Sequence, residues 1–326
     1  MTTERPELAN DPGPAPLEQV TQQFVESLAN APAIHALSPD DARSVLVGLQ
    51  SRPIGQPRVQ AEDLAFPVGP TGSVAVRIVR PIGIAETCPA ILYFHGGGWV
   101  LGDRMTHDRL VREIAVGVGA AVVFVEYARA PEARYPIAVE QAYAATRYVA
   151  DNGPLLRIDP LRLAVAGDSA GGNLAAAVAL MCKERRGPKL EFQALLYPVV
   201  AAGFDTPSYA SFADGPWLTK AAMEWFWDAY LPERASRSQI TATPLTATLD
   251  QLRGLPETLV IVAENDVLRD EGEAYARLLA EAGVRVTSTR YNGTIHDFLL
   301  LNALADTPAT RGAVAQMVYA LKTAFG

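Results

Sequence analysis

The 326-residue chain sets 28 Lys and Arg against 36 Asp and Glu, a net charge of −8, with 49% hydrophobic and 20% charged residues. That balance supports a large buried core in one domain plus an elaboration, and its acidity counts against nucleic acid and anionic membrane as partners. With no apolar run near the roughly 18 residues that span a bilayer, a polar start and no pairing pattern for Cys88 or Cys182, the expectation is a cytoplasmic protein with free thiols and no membrane anchor.

Residues 1–16 are proline-rich and expected to be mobile. In 17–29, Val20, Phe24 and Leu28 fall four apart and put one apolar stripe on a helix. Ser38-Pro39-Asp40-Asp41 supplies a capping serine, a first-turn proline and acids for a second helix reaching about Gln50. Both helices precede any strand, so they read as an appendage, linked by 51–60. Strands are expected at 63–68 and 73–80, joined by the hairpin signal Gly69-Pro70-Thr71-Gly72, and at 89–94.

The third strand runs straight into His95-Gly96-Gly97-Gly98-Trp99. Three consecutive glycines cost folding entropy, and two loop types use them: one turning its N–H groups toward a developing oxyanion, or one cradling a phosphate. The chain has neither the Gly-x-x-x-x-Gly-Lys-Ser/Thr pattern nor a Gly-x-Gly-x-x-Gly followed by an acid, which disfavours phosphate. His95 precedes the glycines at the strand end, where a structural role is favoured over that of a base. His35, in the appendage, and His107, within His107-Asp108-Arg109, read as solvated or cap-related.

From here strands alternate with helices: strand 121–126, helix 137–151, strand 163–166, helix 172–186, strand 192–197, strand 258–263, helix 272–282, strand 284–291 and helix 309–324. An antiparallel start followed by strand–helix units predicts an α/β fold, a mostly parallel sheet with helices on both faces. The last strand is a candidate sheet edge and seam for a homodimer, against which Arg285 and Arg290 count.

The turn Gly167-Asp168-Ser169-Ala170-Gly171 joins strand to helix without a loop. A serine at so tight a turn is held in a strained conformation, and the glycines on either side avoid Cβ clashes. The helix N-terminus then favours negative charge near the serine. Asp168 reads as a supporting group rather than a participant. The segment 201–255 interrupts the alternation with Phe204, Tyr209, Phe212, Trp217, Trp225, Phe226, Trp227 and Tyr230, with Thr219 placed to cap a helix. These aromatics suit a lid over an apolar pocket or an anchor for the insertion, and one set can do both.

A serine nucleophile needs a base and the base an orienting acid. His296 follows the last strand and the expected turn Asn292-Gly293-Thr294, at the carboxyl edge of the sheet where active sites collect. Asp266, just past strand 258–263, is preferred as the acid to Glu264, while Asp270 and Glu271 read as caps of the next helix. The order Ser169, Asp266, His296 is that of an α/β-hydrolase.

Together with His95-Gly-Gly-Gly-Trp99 and Gly167-Asp-Ser-Ala-Gly-Gly-Asn173, the chain carries Glu126-Tyr-Ala-Arg-Ala-Pro-Glu132, Tyr135-Pro136, Phe226-Trp-Asp-Ala-Tyr-Leu-Pro232 and Asp266-Val-Leu-Arg-Asp-Glu-Gly272. From about residue 60 onward it resembles the hormone-sensitive-lipase-type α/β-hydrolases. The resemblance implies a carboxylesterase: an N-terminal helical cap over 1–55 and a catalytic domain over 56–326, with a second cap segment inserted at about 203–235. It maps the nucleophile onto Ser169, the acid onto Asp266, the base onto His296 and the oxyanion donors onto the amides of Gly97, Gly98 and Ala170, with His95 and Gly96 as structural members of the loop. Val267 and Glu126 depart from the residues frequent at those positions without removing a group the mechanism needs. The implied partner is a small-molecule ester of short to medium acyl chain, with no metal or organic cofactor. Amidase or lipase action are alternatives, as is a non-catalytic ligand-binding protein, against which the presence of His296 counts. A histidine base implies activity that falls as pH drops through roughly 6–7.

Overall fold

The computed structural model describes residues 16–84 and 86–326; the proline-rich stretch 1–15 lies outside the described residues. The strands are β1 (Val59–Phe66), β2 (Val74–Pro81), β3 (Cys88–Phe94), β4 (Ala121–Glu126), β5 (Ile158–Asp168), β6 (Phe192–Leu196), β7 (Glu257–Asn265) and β8 (Val286–Ile295). The α-helices are α1 (Gln19–Ser27), α2 (Pro39–Gln50), α3 (Asp108–Val118), α4 (Ile137–Asn152), α5 (Ala170–Glu184), α6 (Pro207–Ser211), α7 (Lys220–Tyr230), α8 (Leu249–Leu252), α9 (Arg269–Glu281) and α10 (Pro308–Phe325).

One sheet runs in the order β1-β2-β4-β3-β5-β6-β7-β8, antiparallel where β2 meets β1 and β4 and parallel elsewhere. Side chains alternate across a strand, so β3 sends Ala90, Leu92 and Phe94 into one core and Ile91 and Tyr93 into the other. A strand apolar on both faces requires helices on both. On the first face lie α4, α5 and α9; on the second lie α3, α10 and Phe24 of α1. Every residue of α5 from Ala170 to Cys182 is buried, and burial pushes the Cys182 thiol up to about 12.

Two elements differ from the sequence expectation. Helix α3 is absent from the sequence expectation because it opens on the polar pair Asp108-Arg109, although Leu110, Val111, Ile114, Ala115 and Val118 form its buried stripe. The stretch Asn292-Gly293-Thr294, expected as a turn, belongs to β8, with the irregularity in pairing falling between Ala263 and Asn265 of β7. The extra strand length carries His296 to the rim where β5 delivers Ser169 and β7 delivers Asp266. No helix among the described residues is long and apolar enough to cross a membrane.

Candidate active site

Ser169 stands between β5 and α5 with φ +54° and ψ −120°, a region whose occupation costs on the order of 1–3 kcal/mol for a residue with a Cβ. The turn is over-determined by backbone bonds. The Ser169 amide donates to the Leu196 carbonyl at 2.8 Å, and the Ser169 carbonyl accepts from Asn173 at 3.1 Å and Val199 at 3.2 Å. Glycine is required on either side by close approach: a Cβ at Gly171 would sit 1.9 Å from the Phe94 carbonyl oxygen, and one at Gly167 would sit 2.3 Å from that of Gly171.

His296 Nε2 lies 2.9 Å from Ser169 Oγ, and its Nδ1 lies 2.7 Å from Asp266 Oδ2. The other Asp266 oxygen accepts from the Leu268 amide at 2.9 Å, which fixes the carboxylate plane. Glu264 faces elsewhere, accepting from the Gly293 amide at 2.7 Å. All three side chains of the relay are buried. Burial alone would depress His296, but Asp266 and then Asp297 more than reverse it and hold the imidazole at about 9. The pH dependence expected of a histidine base therefore moves toward alkali. A protonated His296 cannot accept the serine proton, so kcat/KM is expected to rise as pH increases from 6.5 toward 9. A profile flat across that interval contradicts His296 as the base.

Gly97 and Gly98 follow β3 with φ +102° and +60°. A Cβ at Gly97 would strike the Leu101 backbone at 2.7 Å, and one at Gly98 the Phe226 ring at 2.1 Å. Among the described residues no acceptor takes either glycine's N–H, and Ala170, the first residue of α5, has an N–H with no intrahelical partner. His95 does not touch Ser169. Its Nδ1 bonds the Gly96 carbonyl at 2.9 Å, its ring stacks on Tyr127 at 4.1 Å, and burial drives it down to about 3.

His107 takes the N-cap position of α3, though without a side-chain cap bond, and it is not solvated: it is fully buried, with Nε2 3.2 Å from Asp168 Oδ2. Burial disfavours the charged form of each partner, and their mutual attraction outweighs it, raising His107 and lowering Asp168. Asp168 Oδ1 also accepts from the Tyr93 hydroxyl at 2.8 Å and the Gly96 amide at 3.0 Å. The pair thus ties the glycine loop to the serine turn from beneath. The burial of His107 is not legible in its polar neighbours because its counter-charge lies 61 residues further along.

Two further expectations are corrected. His35 is half-buried and lines the cavity beside the serine. Glu271 does not cap α9; it is fully buried and accepts from the amides of Val200 at 2.8 Å and Ala201 at 3.1 Å, with burial pushing it to about 8. It steadies the loop that bonds the Ser169 carbonyl through Val199. Glu126 pairs with Arg104 at 3.0 Å.

Ser169, His296, Gly97 and Gly98 open on a cavity of about 510 Å³. Its walls are largely apolar and come from α1, α2 and the inserted segment, with Leu28, Leu46, Leu49, Trp217, Met223 and Phe226 prominent. The aromatics of the insertion divide their work. Trp227 and Tyr230 pack on Trp99 of the glycine loop, Tyr230 stacking at 4.3 Å, while Trp217 and Phe226 face the cavity. Thr219 caps α7 by accepting from the Ala222 amide at 3.0 Å.

Residues 91–300 match the model of a family described as alpha/beta hydrolase fold. The chain belongs to that family, in its hormone-sensitive-lipase-like branch. This hydrolase is 39% identical over 306 residues to a putative alpha/beta hydrolase of Acanthamoeba polyphaga mimivirus, covering 94% of this chain and 88% of the relative. It is 37% identical over 285 residues to the carboxylesterase NlhH of Mycobacterium tuberculosis, covering 87% and 88%. Among solved structures, the hydrolase superposes on a thermostable esterase from Pseudomonas putida with a TM-score of 0.94 and 49% identity, covering 96% of this chain and 99% of that one.

Proposed function

We propose that this hydrolase cleaves carboxylic esters of short to medium acyl chain through an acyl-enzyme on Ser169, with His296 as base and then acid and Asp266 as its orienting carboxylate. The observation that carries the reading is the unbroken relay of 2.9 Å and 2.7 Å from Ser169 Oγ through His296 to Asp266, set in the wall of an apolar cavity. As Oγ attacks the ester carbonyl, His296 Nε2 takes its proton, and Asp266 stabilises the imidazolium while holding the tautomer that leaves Nε2 free. The carbonyl oxygen becomes an oxyanion and receives the N–H groups of Gly97, Gly98 and Ala170, a kind of donor whose loss typically costs about 10²–10³ in rate. His296 returns the proton to the departing alcohol. Water then repeats the sequence on the acyl-enzyme.

In this reading the segments 1–55 and about 203–235 act as the cap, supported by the cavity walls that α1, α2 and α7 supply. The volume falls in the range of ordinary small-ligand pockets, about 300–1,000 Å³, which favours monomeric esters over aggregated lipid. Cytoplasmic placement fits the two buried free cysteines. A homodimer seam fits β8, one of the two edge strands of the sheet, where Arg290 is neutralised by Glu273 at 2.8 Å.

A series of p-nitrophenyl esters from acetate to palmitate, run with and without a serine-directed organophosphate, tests the reading. Rates are expected to peak between butyrate and octanoate, and the inhibitor to leave one adduct on the peptide holding Ser169. An adduct elsewhere, or activity that survives full labelling, rejects the assignment.

A further inference from the structure

Asp297 has no part in the relay, yet it stands in the wall of the same cavity. Its backbone is left-handed, with φ +64°, which returns the side chain toward the imidazole it follows. Oδ1 lies 3.5 Å from His296 Nε2, the nitrogen that meets Ser169 Oγ at 2.9 Å. Oδ2 accepts from the Trp217 indole N–H at 3.0 Å, whereas Oδ1 is buried with no hydrogen-bond partner. Among the described residues lining the cavity there is no Lys or Arg, and two exposed carboxylates, Glu26 and Asp214, add to the negative charge around it. A carboxylate on a bound substrate thus finds no Lys or Arg and faces Asp297 across the reacting centre, while the His296 imidazole beside the serine is already matched by Asp266 at 2.7 Å and by Asp297 itself at 3.5 Å.

We infer that Asp297 sets the charge specificity of the site: esters that carry a carboxylate close to the reacting carbonyl are rejected, while neutral and cationic esters are accepted. The inference deepens the Ser169 reading and rests on it. Burial raises the Asp297 carboxyl and the neighbouring His296 draws it back down; once ionised, it and a substrate carboxylate about 6 Å apart at an effective dielectric of about 20 repel by enough to lower binding or rate on the order of a hundredfold. The positive imidazolium of the transition state is meanwhile favoured by the same carboxylate, so the charge that excludes anions does not oppose the base.

Matched p-nitrophenyl esters test this: butyrate, the mono-ester of glutarate, whose acyl chain ends in a carboxylate, and the ester of 4-(trimethylammonio)butanoate. In the unaltered protein kcat/KM for the glutarate mono-ester is expected to fall on the order of a hundredfold below butyrate, with the cationic ester no worse than butyrate within about threefold. Asp297→Asn keeps the shape and an acceptor for Trp217, and it is expected to raise the glutarate-to-butyrate ratio by about tenfold or more; Asp297→Ala is expected to move the ratio the same way. Equal rates on glutarate and butyrate in the unaltered protein overturn the inference without any variant, as does a ratio that neither substitution moves. Ser169→Ala run alongside separates the two claims: if it hydrolyses butyrate within tenfold of the unaltered protein, the nucleophile assignment fails, whereas an unmoved ratio with a Ser169→Ala variant that has lost butyrate hydrolysis by orders of magnitude defeats the Asp297 inference alone.

Discussion

Ser169→Ala is expected to lower kcat for p-nitrophenyl butyrate on the order of 10⁶-fold, the scale seen when a nucleophile that works as a unit with its base is removed. What survives is the contribution of the oxyanion donors and of binding, which can still exceed the uncatalysed rate by roughly 10³–10⁴. Folding is a separate question. Alanine keeps the Cβ and inherits the same φ of +54°, so the backbone strain is unchanged. The substitution deletes one buried hydrogen bond to His296, a loss of about 1–3 kcal/mol at most. The variant should therefore retain a cooperative thermal transition close to that of the unaltered protein. Activity within tenfold of the unaltered protein, measured on a sample that keeps that transition, excludes Ser169 as the nucleophile.

Asp266→Asn carries the second large effect, a fall in kcat on the order of 10⁴. Asp266 Oδ2 accepts from His296 Nδ1 at 2.7 Å, and its Oδ1 is already committed to the Leu268 amide. If the asparagine oxygen stays with Leu268, its NH₂ group meets Nδ1 as a donor and imposes the tautomer in which Nε2 holds the proton. That imidazole cannot take a second proton from Ser169. Glu264→Gln supplies the contrast: its carboxylate serves the Gly293 amide and the side chain makes no bond to His296, so kcat should stay within about tenfold. Should Glu264→Gln lose as much as Asp266→Asn, the acid has been assigned to the wrong carboxylate. The pH profile provides an independent check, because removing the Asp266 charge takes away the strongest attraction holding His296 at about 9 and shifts the alkaline rise of kcat/KM back toward the usual histidine range.

Much of this molecule could be read along the chain. The apolar runs of β3, β5, β6 and β7 stand out because strands buried on both faces need no alternation. The two glycines around Ser169 and the three after His95 announce places of close approach, by backbone at Gly97, Gly167 and Gly171 and by the side chains of Asp168 and Phe226 at Gly96 and Gly98, and the space a Cβ would need there does not exist. Caps such as Ser38 and Thr219 declare themselves because a cap is a local bond, closed within three residues. Helix α3 shows the limit of local reading, since its polar opening pair Asp108-Arg109 masks a buried stripe that begins at Leu110, within the same turn.

The chain by itself determined the order of strands and helices, the tight turn at Ser169 and the residue types delivered to one rim of the sheet, because propensity, periodicity and steric demand act over a few neighbouring residues. Only the tertiary structure decided which carboxylate meets His296, that His107 is buried against Asp168, that Glu271 holds loop amides and that Asp297 looks into the cavity. Each of these turns on the charge or hydrogen-bond partner that folding brings in from a distant segment, and the strength of such a pairing depends on a burial that exists only once the layers have closed.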